Sequence, residues 1–200
     1  MKIPLAVYCV RLMSGNAEKL CHRWQLVHLP EKQIVHRDGG TVKKYLEVCI
    51  MSKKLYVAYG SNLNVEQMAH RCPDATIAGT GVIKNHQLEF WGWPGHGVAT
   101  VTPKSGSDVP VALWEISERD EKNLDSYEGF PNLYRKEDIE ILLDTGETVT
   151  AMVYLMNKKY HGESVKVAAP SNGYLNTILQ GYCHFGLKRD ALSKACQRFQ

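Results

Sequence analysis

The hydrophobic positions of residues 51–200 come in short blocks separated by Gly, Pro, Asn and Ser, a rhythm that predicts many strands and few helices. Residues 55–59, Leu-Tyr-Val-Ala-Tyr, form an unbroken apolar run and predict a buried strand. Val65–Arg71 predicts a short helix, closed by Cys72-Pro73. Strand-like runs follow at residues 75–83, 87–91, 98–102 and 109–115, with residues 92–97 (Gly-Trp-Pro-Gly-His-Gly) forced into a loop. Ser117 is a good N-cap, followed by acids in the first turn, for a helix running to about Glu128, where Gly129 supplies the stop.

Tyr134–Leu143 and Thr148–Met156 predict two more strands, joined through Asp144-Thr145-Gly146-Glu147 as a hairpin turn. Ser171 then caps a helix whose apolar residues Tyr174, Leu175, Ile178, Leu179 and Tyr182 recur at helical spacing. Residues 190–198 predict a last amphipathic helix. Strands that do not alternate regularly with helices argue for an α+β fold rather than a doubly wound sheet.

Composition narrows the classes of function. Two hundred residues suggest one domain with room for an appendage. A core of ~150 residues needs neither metal nor disulfide to be stable. The six cysteines (Cys9, Cys21, Cys49, Cys72, Cys183 and Cys196) include no Cys-x-x-Cys pair, which predicts reduced thiols in a cytoplasmic protein. Residues 1–50 hold eight Lys/Arg against four Asp/Glu, leaving 16 against 17 in the rest, so the formal +3 comes from the first quarter. The main body carries no basic footprint for nucleic acid, and no apolar run is long enough to span a membrane. The apolar stretch 3–10 ends at Arg11 without a small-x-small cleavage site, which argues against a secretory signal.

Residues 1–50 keep neither a helical nor an alternating period, and Arg37-Asp38-Gly39-Gly40 breaks them. Met51-Ser52-Lys53-Lys54 resembles an ordinary chain start directly before the first good strand. Leu46-Glu47-Val48 can be encoded with the bases GGAGGT, separated from the Met51 codon by one base and the codons of Cys49 and Ile50. That is the layout of a bacterial ribosome-binding site. The expectation is a translated leader over residues 1–50, with Met51 as the natural start and residues 51–200 as the domain. The alternative is a genuine N-terminal arm that binds a partner.

Two features carry chemistry. Tyr59-Gly60-Ser61-Asn62-Leu63 ends a strand and feeds a helix, a turn whose backbone N–H groups form a ready anion site. Read as structure alone, it is a connection that needs Gly for shape and Asn as a cap. Glu128 lies one turn after Leu124, so with Leu124 and Tyr127 as core positions the carboxylate is pushed inward at a helix C-terminus. Both effects raise a carboxyl pKa toward the range useful for proton transfer. The bland reading is a solvated glutamate at a fraying helix end. Ser61 lacks a Gly-x-Ser-x-Gly elbow and an activating histidine. His70, His86, His96, His161 and His184 show no ligand spacing, so no metal site is expected. Trp91, Trp93 and Trp114 fit a core better than a nucleotide platform. Tyr154 and Tyr174 could each close a pocket with a hydroxyl, or simply be buried with that hydroxyl satisfied.

Taken in order, these motifs resemble the γ-glutamylcyclotransferase-like (AIG2-like) family. The match runs from Tyr59-Gly60-Ser61-Asn62-Leu63 through Tyr127-Glu128-Gly129 and Val153-Tyr154-Leu155-Met156 to Ala169-Pro170-Ser171, Tyr174 and Gly186-Leu187. It covers residues 53–187 and none of 1–50. The resemblance implies a small, closed, mixed β-barrel-like sheet flanked by helices. It implies an enzyme that cyclises a small-molecule γ-glutamyl amide to 5-oxoproline and releases the amine, without metal or cofactor. Glu128 would be the catalytic acid and base. Tyr59, Gly60, Ser61, Asn62, Leu63, Tyr154 and Tyr174 would contact substrate. The Ser61-Asn62 pair is more similar to the branch acting on γ-glutamyl amino acids than to the γ-glutamylamine branch. Related bacterial proteins instead trim a γ-glutamyl protecting group from a biosynthetic intermediate. A monomer or a homodimer is expected, with neither nucleic-acid nor membrane partners. The alternative is a non-catalytic module that binds an amino-acid-like ligand in the same pocket.

Overall fold

The computed structural model describes residues 53–93, 95–160 and 163–199, all within one unit, Ser52–Gln200. The reading of residues 1–50 as a leader and of Met51 as the start lies outside the described residues. Strand β1 (Lys54–Ala58) leads through a 3₁₀ turn (Ser61–Leu63) into helix α1 (Val65–Arg71). Two long strands follow, β2 (Thr76–Gly92) and β3 (Val98–Ile116), and then helix α2 (Glu118–Glu128). The hairpin of β4 (Tyr134–Leu143) and β5 (Thr148–Met156) comes next. Three two-residue strands, β6 (Lys159–Tyr160), β7 (Glu163–Ser164) and β8 (Lys166–Val167), precede helices α3 (Asn172–His184) and α4 (Asp190–Cys196). A 3₁₀ turn (Gln197–Phe199) follows α4.

Five strands close into a barrel in the order β3-β1-β5-β4-β2, with β2 pairing back onto β3. All the pairings are antiparallel except β1 with β5, where Tyr56 and Val57 face Met152 and Val153. The expected α+β class and closed mixed barrel are therefore what the chain forms. The four separate strands expected over residues 75–115 are instead two long ones. Gly79 (φ 148°) and Asn85 (φ 55°) sit at the two register shifts of the β2–β3 ladder. Asn85, in the expected break between residues 83 and 87, and Gly79, inside the first expected run, are both at bulges, which bend a strand and increase its twist without ending its pairing. Bent strands of this length can belong to two sides of a closed sheet.

The barrel is covered outside as well as filled inside. β5 shows this best, since residues 151–156 are all buried. Val57, Ile83, Val109, Val111, Ile141 and Val153 are fully buried, and Leu124 of α2 and Ile178 of α3 join the same core. Trp114 is buried as expected, whereas Trp93, expected in the core, is 48% exposed.

Local chemistry sets the ends of α2. The Ser117 hydroxyl accepts from the Asp120 N–H (3.1 Å) and the Asp120 carboxylate accepts from the Ser117 N–H (3.2 Å), a reciprocal capping box. Gly129 closes the helix in the left-handed conformation (φ 64°) that a side chain would resist. Ser117→Ala is expected to cost about 1 kcal/mol, read as a lower urea midpoint at unchanged m-value. One expectation fails here: Leu124 is core, but Tyr127 is 47% exposed. Three residues on from Leu124 the helix has already rotated toward solvent, and four residues on it returns Glu128 to the inner side.

Candidate active site

The turn after β1 is held by its own backbone. The Leu63 N–H donates to the Gly60 carbonyl and the Asn64 N–H to the Ser61 carbonyl, both at 3.0 Å. The first donors of a helical turn have no partner inside it, which leaves the N–H groups of Ser61 and Asn62 for another acceptor. Gly60 is required by proximity, because a Cβ there would lie 3.1 Å from Ala99 Cβ and 3.3 Å from the Tyr174 hydroxyl. Leu63 has a different place from its neighbours. Its amide is satisfied, its side chain is fully buried, and it does not line the cavity. The capping role belongs to Asn64, whose side chain accepts from the Gln67 N–H at 2.9 Å. Asn62 is thereby free for other work.

The turn borders a cavity of ≈ 210 Å³. Six of the chain's ten tyrosines line it: Tyr56, Tyr59, Tyr127, Tyr134, Tyr154 and Tyr174. Most of their hydroxyls are committed to the frame. Tyr59 donates to the Tyr154 carbonyl (2.5 Å), Tyr134 to the Ala99 carbonyl (2.7 Å) and Tyr154 to Asp125 Oδ1 (2.6 Å), while Tyr174 accepts from the Ala99 N–H (3.1 Å). Burial, with the Glu128 charge as the second cause, pushes the Tyr56 and Tyr59 phenols well above their ordinary range. Burial also raises Tyr134 and Tyr174. All four are neutral at physiological pH and can act as hydrogen-bond donors, not as bases. Tyr174→Phe would leave the buried Ala99 N–H unpaired, so a loss of about 1–2 kcal/mol is expected in urea denaturation.

Among the described residues, Glu128 is the one carboxylate lining this cavity. Its Oε1 accepts from Asn62 Nδ2 at 2.8 Å, and the same Nδ2 donates to the Tyr56 hydroxyl at 2.7 Å. Burial raises the carboxyl to about 7, against the opposing pull of the Asn62 hydrogen bond and the Arg71 charge. A group of this kind is half ionised near neutrality. It can take a proton and return it without a large penalty in either direction.

The structure brings together Glu128, Tyr59, Gly60, Ser61, Asn62, Tyr154 and Tyr174 around one cavity, from the turn after β1, α2, β5 and α3. Sequence reasoning missed Tyr56, Tyr127 and Tyr134, and gave Arg71 no part. Nothing local marks them. Tyr56 and Tyr134 read as strand residues, Tyr127 as core, and Arg71 as a cation completing a helix end. Among the described residues no three of His, Cys, Asp and Glu gather as a metal site, and no helix is long and apolar enough to cross a membrane.

The sequence model of the gamma-glutamyl cyclotransferase, AIG2-like family matches residues 56–175, which include the turn, Glu128, Tyr154 and Tyr174. The chain belongs to this family. It is an enzyme of the γ-glutamylcyclotransferase type. The mouse protein named gamma-glutamylcyclotransferase is 28% identical over 148 residues, covering 70% of this chain and 76% of its own. The human protein of that name is 28% identical over 142 residues, covering 66% and 72%. A solved structure titled gamma-glutamyl cyclotransferase superposes with a TM-score of 0.62 at 26% identity, covering 72% of this chain and 86% of that one. YkqA from Bacillus subtilis shares the fold, with a TM-score of 0.60 at 20% identity over 73% of this chain and 54% of its own.

Proposed function

We propose that this γ-glutamylcyclotransferase-family enzyme cyclises a γ-glutamyl amide to 5-oxoproline and releases the amine, with Glu128 as both general base and general acid. The observation that carries the reading is a single carboxylate, raised to about 7, in a cavity otherwise lined by neutral groups. The substrate α-carboxylate docks on the N–H groups of Ser61 and Asn62, beside the bare backbone of Gly60. Leu63, whose N–H already serves the Gly60 carbonyl, shapes the turn from behind.

The ionised Glu128 takes a proton from the α-ammonium, and the freed amine attacks the γ-carbonyl of the same molecule. A C–N bond forms, the carbonyl becomes an oxyanion, and the five-membered ring closes. The oxyanion collapses to the lactam carbonyl as the amide C–N bond breaks, and Glu128 returns its proton to the departing nitrogen. The second proton of the ring nitrogen passes to the released amine, which leaves as an ammonium. Because attack is intramolecular, a pocket that holds the chain folded draws on effective molarities of roughly 10⁵–10⁸ M. The tyrosine rings, Tyr154 and Tyr174 among them, keep the substrate folded and water out. The cycle consumes no cofactor. Cys72, Cys183 and Cys196 are free thiols, which suits an enzyme of the cytoplasm.

The Ser61-Asn62 pair, similar to the branch that acts on γ-glutamyl amino acids, favours a γ-glutamyl amino acid as substrate. The test is incubation with γ-glutamyl amino acids, γ-glutamylamines and γ-glutamylated intermediates while 5-oxoproline is followed by mass spectrometry. Fastest release from the amino-acid members supports the reading. Binding of these compounds without turnover would make the protein a ligand-binding module instead.

A further inference from the structure

The Arg71 guanidinium, at the end of α1, takes part in none of the ion pairs among the described residues. Its hydrogen bonds go to neutral acceptors. Nη1 donates to Asn62 Oδ1 and to the Ser61 hydroxyl (3.4 Å), and Nη2 donates to Gln67 and to the Tyr127 hydroxyl (2.7 Å). The guanidinium also lies 3.6 Å from the centre of the Tyr127 ring. The Arg71 carbonyl accepts from Asn123 Nδ2 at 3.0 Å, which ties the end of α1 to α2. An unneutralised cation pressed against the residue before Glu128 and the residue bonded to Glu128 calls for a reason.

The reason lies in the Asn62 amide, which can face its neighbours in either of two orientations. A guanidinium only donates, so the atom facing Arg71 must be Oδ1. Nδ2 then has to face Tyr56 and Glu128, as it does at 2.7 and 2.8 Å. We propose that Arg71 is a positioning residue for Glu128, forbidding the Asn62 flip that would trap a proton on the carboxyl. With Glu128 protonated, a flipped amide would present Oδ1 to the acid and accept its O–H, holding the proton the leaving amine needs. With Arg71 in place that flip would set the Asn62 amino group against a cation. This proposal rests on the cyclisation reading for its catalytic consequence, but not for the amide orientation itself.

The other groups around Glu128 do not supply this constraint. Tyr56 of β1, Tyr59 just after it, Tyr127 of α2, Tyr134 of β4, Tyr154 of β5 and Tyr174 of α3 are phenols, and Cys72 after α1 is a thiol raised to about 12 chiefly by burial. Glu121 and Asp125 of α2 are each paired with Lys136 Nζ at 2.6 Å. Arg71 is the cation whose charge acts on Glu128.

The experiment is a ¹³C NMR titration of the glutamate carboxyls, without substrate, in the wild type, Arg71→Met and Arg71→Lys, together with kcat and KM. Arg71→Met is expected to move the Glu128 midpoint upward and lower kcat by about 10- to 100-fold, with little change in KM. Arg71→Lys keeps the charge but cannot hold Asn62, Ser61, Gln67 and Tyr127 together. It is expected to restore the midpoint more fully than kcat. In an Asn62→Ala background, Arg71→Met should add less than about threefold in kcat, because the route to Glu128 is gone. An unmoved midpoint with unchanged kcat in Arg71→Met, or the same loss with and without Asn62, would overturn the proposal. Absence of 5-oxoproline from the wild type would count against the cyclisation reading alone, since the titration still decides whether Arg71 governs Glu128.

Discussion

Glu128→Gln is expected to lower 5-oxoproline formation by about 10²- to 10⁴-fold, the usual contribution of a positioned acid/base. Glutamine keeps the volume of the side chain and can still accept from Asn62 through its amide oxygen, so the loss isolates proton transfer from packing. In the wild type the rate should rise with pH through an apparent midpoint near 7, because the ionised carboxylate starts the cycle and burial raises that group to about 7. Stability should run the other way. A carboxyl raised on folding means that the native state binds more protons than the unfolded state between the ordinary glutamate value and about 7. The protonated form therefore favours folding at low pH, and stability falls as pH rises through that window. The loss should approach about 3 kcal/mol by pH 8. Glutamine does not titrate, so urea denaturation at pH 5 and pH 8 should show a flatter profile in the variant. A variant that turned over at the wild-type rate would remove Glu128 from the mechanism.

The second large effect lies behind the turn. A Cβ at Gly181 in α3 would stand 2.3 Å from Leu63 Cβ and 2.6 and 2.7 Å from the carbonyl carbon and oxygen of Leu63. Helix propensity alone would reward Gly181→Ala by about 1 kcal/mol. Overpacking typically costs about 1–3 kcal/mol, and here the obstructing atoms include backbone that cannot rotate away. The clash wins, and a net loss of about 2 kcal/mol is expected, a fall in Tm of roughly 4–8 °C for a domain of this size. The yielding element is the turn that carries Ser61 and Asn62, so kcat/KM should fall as well, by about 100-fold if the turn moves by about 1 Å. Gly173, in the first turn of the same helix, has open space around its missing Cβ. Gly173→Ala should leave activity intact and raise Tm slightly. Equal behaviour of the two alanine variants would show that close approach at Leu63 does not hold the site.

Local order was legible in the chain because local rules produce it. The apolar run before Gly60, the Ser117 cap, the stop at Gly129 and the hairpin through Asp144–Glu147 depend on neighbours within a few residues, and each forms where the pattern sets it. The inward placement of Glu128 followed from its spacing to Leu124, although its neighbour Tyr127 was assigned to the wrong side of the helix. The order of motifs also carried the family.

Tertiary structure alone decided the rest. Whether Asn85 ends a strand or bends it depends on a partner strand that continues past it. Closure of β2 onto β3 then draws Tyr56, Tyr134, Tyr154 and Tyr174 to one cavity, though far apart in sequence. Asn62 reads as a cap until Asn64 takes that role and Arg71 turns the Asn62 amide toward Glu128. Periodicity and capping fix which face of an element is buried. What that face meets is set by barrel register and helix docking, which join residues that no short-range pattern connects.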